Sequence, residues 1–292
     1  MLSYQHEYHA GNHADVLKHI CLCRILRFLC QKEKPFTIID SHGGAGRYSL
    51  SDERLLKTGE AEGGIKKLSA YRVYAKDTDI PPAVSDYLAV ESPYLAQDLY
   101  AGSAEIERLF LRAQDHQFVS EKHPQAYSSL QTAAALPLLT EAGEKEALGK
   151  TLISQKDGYS ELNALTPPLV KRGLVLCDPS YEDAEDYTKV RNALQTVRRK
   201  WNTAIIALWY PLLVRRKNET AQMLSALEDF SKLGNSPCTS FRAELCIWKP
   251  EDMVQKDGSH LYGSGMLVIN PPWKLREEME EACDFLSSCL KP

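Results

Sequence analysis

Residues 173–181 read GLVLCDPSY, an apolar run that stops at Asp178-Pro179-Ser180-Tyr181. Residues 265–273 read GMLVINPPW, a second apolar run that stops at Asn270-Pro271-Pro272-Trp273. A proline cannot donate to a strand ladder, so each run ends as a strand where its polar tip begins. At the first tip, the Asp178 carboxylate and the Pro179 carbonyl are neighbouring acceptors. Together they could hold both N–H groups of an exocyclic amine such as that of adenine. That amine is a weak nucleophile, because its lone pair is delocalised into the ring. Holding both N–H groups would aim the lone pair at an electrophile, and such alignment supplies much of a rate enhancement. The carboxylate would also stabilise positive charge growing on nitrogen and then accept the acidic proton. Tyr181 would stack on the base. A base inside a helix must leave its stack first, which suits an unpaired or flipped substrate.

A second group of residues suits a nucleoside-containing partner. Residues 36–40, FTIID, form a short buried strand, and the turn SHGGAGRYS follows with three glycines in four positions. Glycines let a backbone approach a ligand closely, and the turn is expected to lead into a helix. It is not a GxGxxG, because Ser49 stands where the third glycine would be. A tight turn with no ligand remains open at this point. Glu121 ends the strand QFVSE, where a carboxylate could accept both ribose hydroxyls. Asp157 follows KTLISQ, where an acid could accept from an adenine amino group. Either acid alone reads equally as a cap or turn residue. Together with the glycine turn they fit an adenosyl group, which both S-adenosylmethionine and NAD contain.

These residues need a scaffold. Apolar residues at Val16, Leu17, Ile20, Leu22, Ile25, Leu26 and Leu29 form a helical stripe over 13–31. Residues 51–98 are charged, helical in period and broken by Gly63-Gly64, Pro81-Pro82 and Pro93, which reads as a helical insertion. Strands are expected at 36–40, 117–121, 150–155, 174–179, 203–211, 241–249 and 265–270. Helices are expected at 103–113, 124–135, 184–200, 216–233 and the C-terminal end. Strands alternating with helices give an α/β fold with a mainly parallel sheet. The last two strands have too short a connection for a crossover and should pair antiparallel. Seven strands with such a terminal hairpin is the arrangement of Rossmann-like methyltransferases. The expectation is one domain over 1–292, with an N-terminal tail over about 1–13.

The whole chain sets bounds. Its 292 residues are 43% hydrophobic, enough for a full core, and its mean hydropathy of −0.35 is that of a soluble protein. No apolar run reaches the ~20 residues that span a bilayer, and the polar, histidine-rich start carries no apolar signal segment. We expect a cytoplasmic protein. Its eight cysteines are then reduced and structural. The net charge of −4 is not a nucleic-acid binder's usual basic footprint. Basic clusters at 197–200 and 214–217 read as solvated helix ends.

At this point the residues resemble a family. DPSY is similar to the (D/N)PP(Y/F/W) signature of amino methyltransferases, with Ser180 in place of the second proline. LSYQHEYHAGNHADVLKH, DSHGGAGRYSL, SEKHP, KDGY and GSGMLVINPPWKL together resemble the bacterial 23S ribosomal RNA adenine-N6 methyltransferases of the RlmJ type, over essentially the whole chain. The resemblance implies a Rossmann-like fold with an inserted helical subdomain and S-adenosylmethionine as methyl donor, with no metal. It implies as acceptor the N6 amino group of a specific adenine of 23S rRNA, adenine 2030 in the family. Carried over by position, Lys18, His19, His42, Ser103, Glu121, Asp157, Gly158 and Asp178 would line the cofactor. Asp178 would be the catalytic acid. Tyr4 and His6 would meet the substrate adenine. The expected partner is protein-free 23S rRNA or an early assembly intermediate, met by a monomer away from membranes. Where the family more often has THAGAGRY and DPPY, this chain has SHGGAGRY and DPSY. The insertion is its least similar part.

NPPW matches the amino-methyltransferase pattern better by letter than DPSY does. Position decides against it, because the last strand should lie away from the glycine-turn strand and the DPSY strand beside it. His6, His9, His13 and His19 crowd the start and could suggest a metal. There is no HExxH and no nearby CxxC, so they read as a polar lid, caps and core. Two other classes stay open. One is a noncatalytic RNA-binding relative, motivated by Ser180. The other is a nicotinamide-dependent oxidoreductase, which the missing GxGxxG and the presence of DPSY oppose.

Overall fold

The structure is a computed structural model that describes residues 6–74, 79–233, 236–253 and 261–291. After a 3-10 turn at His6–Tyr8 comes α1 (His13–Cys30), then β1 (Thr37–Asp40) and β2 (Arg47–Ser49). Next are α2 (Glu53–Thr58), α3 (Ile65–Tyr74) and α4 (Pro82–Leu95), followed by β3 (Leu99–Ala101) and α5 (Ser103–Phe110). The middle holds β4 (His116–Ser120), α6 (Pro124–Ala135), β5 (Leu138–Thr140), β6 (Gly143–Lys145), β7 (Lys150–Ser154) and α7 (Gly158–Leu165). The remainder is β8 (Gly173–Cys177), α8 (Ala184–Lys200), β9 (Ile205–Leu213), α9 (Lys217–Lys232), β10 (Ser240–Cys246), α10 (Pro250–Met253), β11 (Leu261–Ile269) and α11 (Leu275–Leu290).

Seven strands form one sheet in the order β10-β11-β9-β8-β1-β4-β7. β9, β8, β1, β4 and β7 run parallel, while β11 is antiparallel to both β9 and β10. This is the mainly parallel sheet with an antiparallel end that the sequence predicts. β1 and β8 are buried at every position, as strands covered on both faces must be. The chain leaves β1 toward β4 and β7, then returns to place β8 on β1's other side. Ligands bind where strand order reverses in this way, at the carboxyl ends of the strands. Asp40 and Asp178 therefore end up side by side, one closing β1 and the other following β8.

The glycine turn differs from expectation. It leads into β2, not a helix, and β2 pairs antiparallel with β3 fifty residues on (Arg47↔Ala101, Tyr48↔Tyr100). The helices of 53–95 sit between those two strands, and the helix that completes the β1 unit is α5. The Arg47 guanidinium clamps this junction. It pairs with Glu105 on α5, donates to the Pro137 carbonyl (2.8 Å) and lies over the Tyr94 ring.

α1 begins at an Asn12 cap whose side chain accepts from the Ala14 and Asp15 N–H groups, both at 2.9 Å. It is more than a stripe. Val16, Leu17, Ile20, Cys21, Leu22, Cys23, Ile25 and Leu26 are all fully buried, so most of the helix surface is covered, and Arg27 is its exposed residue. It packs on α4, α5, α11 and β11, and its first turns carry Asp15, Lys18 and His19 toward the strand ends. The eight cysteines are all free thiols. Among the described residues no helix is long and apolar enough to cross a membrane.

NPPW lies on the far side of the sheet. Because β11 runs against β9, its end stands at the amino edge of the parallel strands. The Asn270 amide donates to the carbonyls of Thr203 and Ala204, just before β9 starts, at 3.1 and 3.2 Å. Trp273 is 80% exposed there, with the Lys274 ammonium 4.4 Å from its ring centre.

Candidate active site

A cleft of about 950 Å³ runs along the carboxyl edge of the sheet. Its walls include His6, Lys18, His19, His42, Ser103, Glu121, Asp157, Gly158, Asp178, Pro179 and Tyr181. Every site residue expected from the sequence that lies within the described residues is thus in one cavity. Tyr4 lies outside the described residues.

The glycine turn forms the cleft floor. Gly44 is left-handed (φ +60°), and a Cβ there would sit 2.3 Å from the Tyr48 hydroxyl. Its N–H donates to Glu121 Oε2 (2.9 Å), while Oε1 accepts from the His123 N–H (2.7 Å). Burial pushes the Glu121 carboxyl up, and those two backbone donors partly offset it. Gly158 is needed for contact: a Cβ would stand 2.0 Å from the Ser41 carbonyl oxygen. Asp157 caps α7 through the Ser160 N–H (3.1 Å) and pairs with Lys122 (3.1 Å). Burial alone would raise its carboxyl, but these partners hold it below the usual range.

The acceptor end centres on Asp178. Its Oδ2 accepts from the Lys18 ammonium at 2.5 Å, and Lys18 also reaches Asp15 Oδ1 at 2.8 Å. Burial would depress Lys18, but the two carboxylates outweigh it and hold the ammonium above its ordinary range. Asp15 Oδ2 accepts from the His6 ring at 2.9 Å.

Over residues 33–292 the chain matches the family model described as Ribosomal RNA large subunit methyltransferase D, RlmJ. The chain belongs to this family. Two relatives bear the name ribosomal RNA large subunit methyltransferase J. The protein of Escherichia coli K12 is 36% identical over all of this chain and 95% of its own length. That of Haemophilus influenzae Rd is 37% identical, with the same coverage. A crystal structure of a protein from Legionella pneumophila superposes with a TM-score of 0.79 at 32% identity, covering 97% of this chain and 95% of the other. A nicotinamide-dependent oxidoreductase is no longer a competing reading.

Some features of the cleft lay outside the sequence argument. Asp40 accepts from the Ser103 hydroxyl (2.7 Å) and the His42 N–H (3.0 Å). Burial nevertheless pushes its carboxyl up to about 6. Its signal was its place, last in the strand before the glycine turn. Asp15 also escaped notice, although its i,i+3 spacing puts it on Lys18's face of α1. Tyr181 lines the cleft but is only 3% exposed. Its ring packs on Tyr187 and Trp209, and its hydroxyl donates to the Trp209 carbonyl (3.1 Å). A base cannot stack on it in this conformation. The ring serves instead to anchor the DPSY turn, where Tyr181 itself is left-handed (φ +51°).

The crowded histidines have separate surroundings. His9 bonds Glu60 (2.9 Å), and His19 Nδ1 meets the Tyr100 hydroxyl (2.7 Å). Among the described residues no group of three or more His, Cys, Asp or Glu gathers as metal ligands would. The ring nitrogen His19 Nε2 is buried without a hydrogen-bond partner on the cleft side of α1. A buried polar atom of this kind is one that a ligand in the cleft would satisfy.

His42 bonds Ser41 and meets the Tyr159 ring edge-on. Burial pushes its imidazole down to about 4. It stays neutral in the fold while the unfolded chain protonates below its ordinary value. Its stability contribution is therefore intact above about pH 6.5 and is lost as pH falls toward 4, at up to about 1.4 kcal/mol per pH unit. Denaturant melts at pH 7.5 and 5.0 should show wild type losing more stability than His42→Gln. Equal losses would remove His42 from this role.

Proposed function

We propose that the protein transfers a methyl group from S-adenosylmethionine to the N6 amino group of a specific adenine of 23S rRNA. The observation that carries this reading is the meeting of Asp178-Pro179 and the glycine turn in one cleft at the switch point. The cleft residues suit an adenosyl ligand. Glu121 offers a carboxylate at ribose level, Gly44 and Gly158 keep the backbone close, and His19 Nε2 awaits a partner. Lys18, His42, Ser103, Asp157 and Asp178 would complete the holding set. Bound there, S-adenosylmethionine supplies an electrophilic methyl group on sulfonium.

The chain's own residues do the rest. The Asp178 carboxylate and the Pro179 carbonyl accept the two N–H groups of the amine and turn its lone pair outward. The carboxylate stabilises the charge that develops on nitrogen, then takes the proton. Ser180 leaves both acceptors in place. His6, and Tyr4 ahead of it, would face the adenine. Lys122, Lys189 and Arg215 also line the cleft and would meet phosphates. We place the activity in the cytoplasm, on a monomer acting on protein-free or early-assembly rRNA, with no metal in the chemistry.

The test is incubation with labelled S-adenosylmethionine and protein-free 23S rRNA, followed by nucleoside analysis over a salt series. N6-methyladenosine is expected, with KM for RNA rising as salt screens the phosphate contacts. Cofactor binding without transfer to any 23S rRNA form would overturn the proposal in favour of a noncatalytic RNA binder.

A further inference from the structure

We propose that Asp15 is a positioning residue that shares Lys18 with Asp178, keeping the buried ammonium compensated while Asp178 turns to the substrate. The inference rests on the reading of Asp178 as the group that meets the amine.

Asp15 is 2% exposed and fully used. Oδ1 accepts from Lys18 (2.8 Å), and Oδ2 accepts from the Gly11 N–H and the His6 ring (both 2.9 Å). Lys18 is 4% exposed and spans Asp15 and Asp178. While its Oδ2 stays bound to the ammonium, the Asp178 carboxylate is a weaker acceptor and a weaker base toward an amine. When the amine nitrogen gains its methyl group, the proton it releases goes to a carboxylate oxygen of Asp178. Asp178 is then neutral, and among the described residues Asp15 is the only other carboxylate paired with Lys18. Removing a buried charge's last partner is strongly destabilising, because the charge is left uncompensated. With Asp15 present, Lys18 can lean on it throughout the step and return when Asp178 releases the proton to solvent. The other oxygen of Asp15 holds His6 over the same cleft, so one carboxylate sets both the ammonium and the N-terminal turn.

Shape and charge separate on substitution. Asp15→Asn keeps the outline and an acceptor for Gly11 but loses the charge. Asp15→Glu keeps the charge but not the outline. We expect kcat on 23S rRNA to fall about 30-fold in D15N and no more than about fivefold in D15E, with S-adenosylmethionine Kd within about threefold of wild type in both. A packing role alone predicts the reverse order. D15N at wild-type kcat, D15E as slow as D15N, or a Kd loss matching the kcat loss would each overturn the proposal. If D15E does not fold, melting of D15N, D178N and D15N/D178N decides. The double variant should lose more in Tm than the two single variants together, because only there is the ammonium left without a carboxylate, and additive losses overturn the proposal. Asp178→Asn is the control: wild-type turnover there would sink the reading of Asp178 whatever Asp15 does.

Discussion

Asp178→Ala should lower kcat for methyl transfer at least about 1,000-fold, or about 4 kcal/mol at 1.36 kcal/mol per tenfold. The side chain loses two functions together: an acceptor that aims the amine and a base for the proton it sheds. Asp178→Asn, with one acceptor left and no basicity, should fall between Ala and wild type. The fold should survive Asp178→Ala, because Lys18 keeps Asp15 at 2.8 Å and so is not stranded. A Tm within a few degrees of wild type, together with retained cofactor binding, would locate the loss in the chemistry. Full turnover in Asp178→Ala would sink the mechanism.

Gly158→Ala should damage both stability and cofactor binding. The added methyl would stand 2.0 Å from the Ser41 carbonyl oxygen and 2.9 Å from its carbon. Both are backbone atoms of the turn that follows β1, so no side chain can swing aside. Overpacking of this kind costs about 1–3 kcal/mol, equivalent to a fall of about 2–4 °C in Tm for each kcal/mol in a large domain. Relief must come from separating α7 from the β1 turn, which widens the cleft where Asp157 and His42 stand. Calorimetric titration should show S-adenosylmethionine Kd at least about tenfold weaker. An unchanged Kd would mean that the contact between α7 and the turn does not shape the ligand site.

The sheet was legible because strands covered on both faces read as unbroken apolar runs, as at FTIID and GLVLC. Its edges were less so. Pro211 looked like the end of β9, yet the strand continues to Leu213. Pairing with β8 stops at Leu208, so past that point β9 has an open side where a missing N–H costs nothing. β11 begins at Leu261, four residues before the expected start, because Gly263 and Gly265 belong inside it. A Cβ on Gly265 would lie 2.3 Å from the Tyr210 ring. The β2–β3 pairing joins segments fifty residues apart, and no local pattern announces it.

Motif and site were legible to different degrees. Asp178 and the glycine turn announced themselves by following apolar strands. The partners that fix them did not. Asp40 binding Ser103 and Lys18 binding Asp178 are contacts between side chains that only the fold brings together, and the local Asp15–Lys18 pair takes on its meaning only there. Tyr181 shows the opposite failure: the letter promised a stacking surface, and packing used the ring elsewhere.

The burial of α1 reaches beyond packing. The lysine that holds Asp178 rides on a helix whose residues 14–23 are all buried, so it does not loosen by local fraying. Amide protons around Lys18 should exchange with deuterium only through whole-molecule opening. Cavity-forming changes at Leu22 or Ile25, with no contact to the cleft, would then act as silent editors of turnover, shifting the lysine along with the helix that carries it.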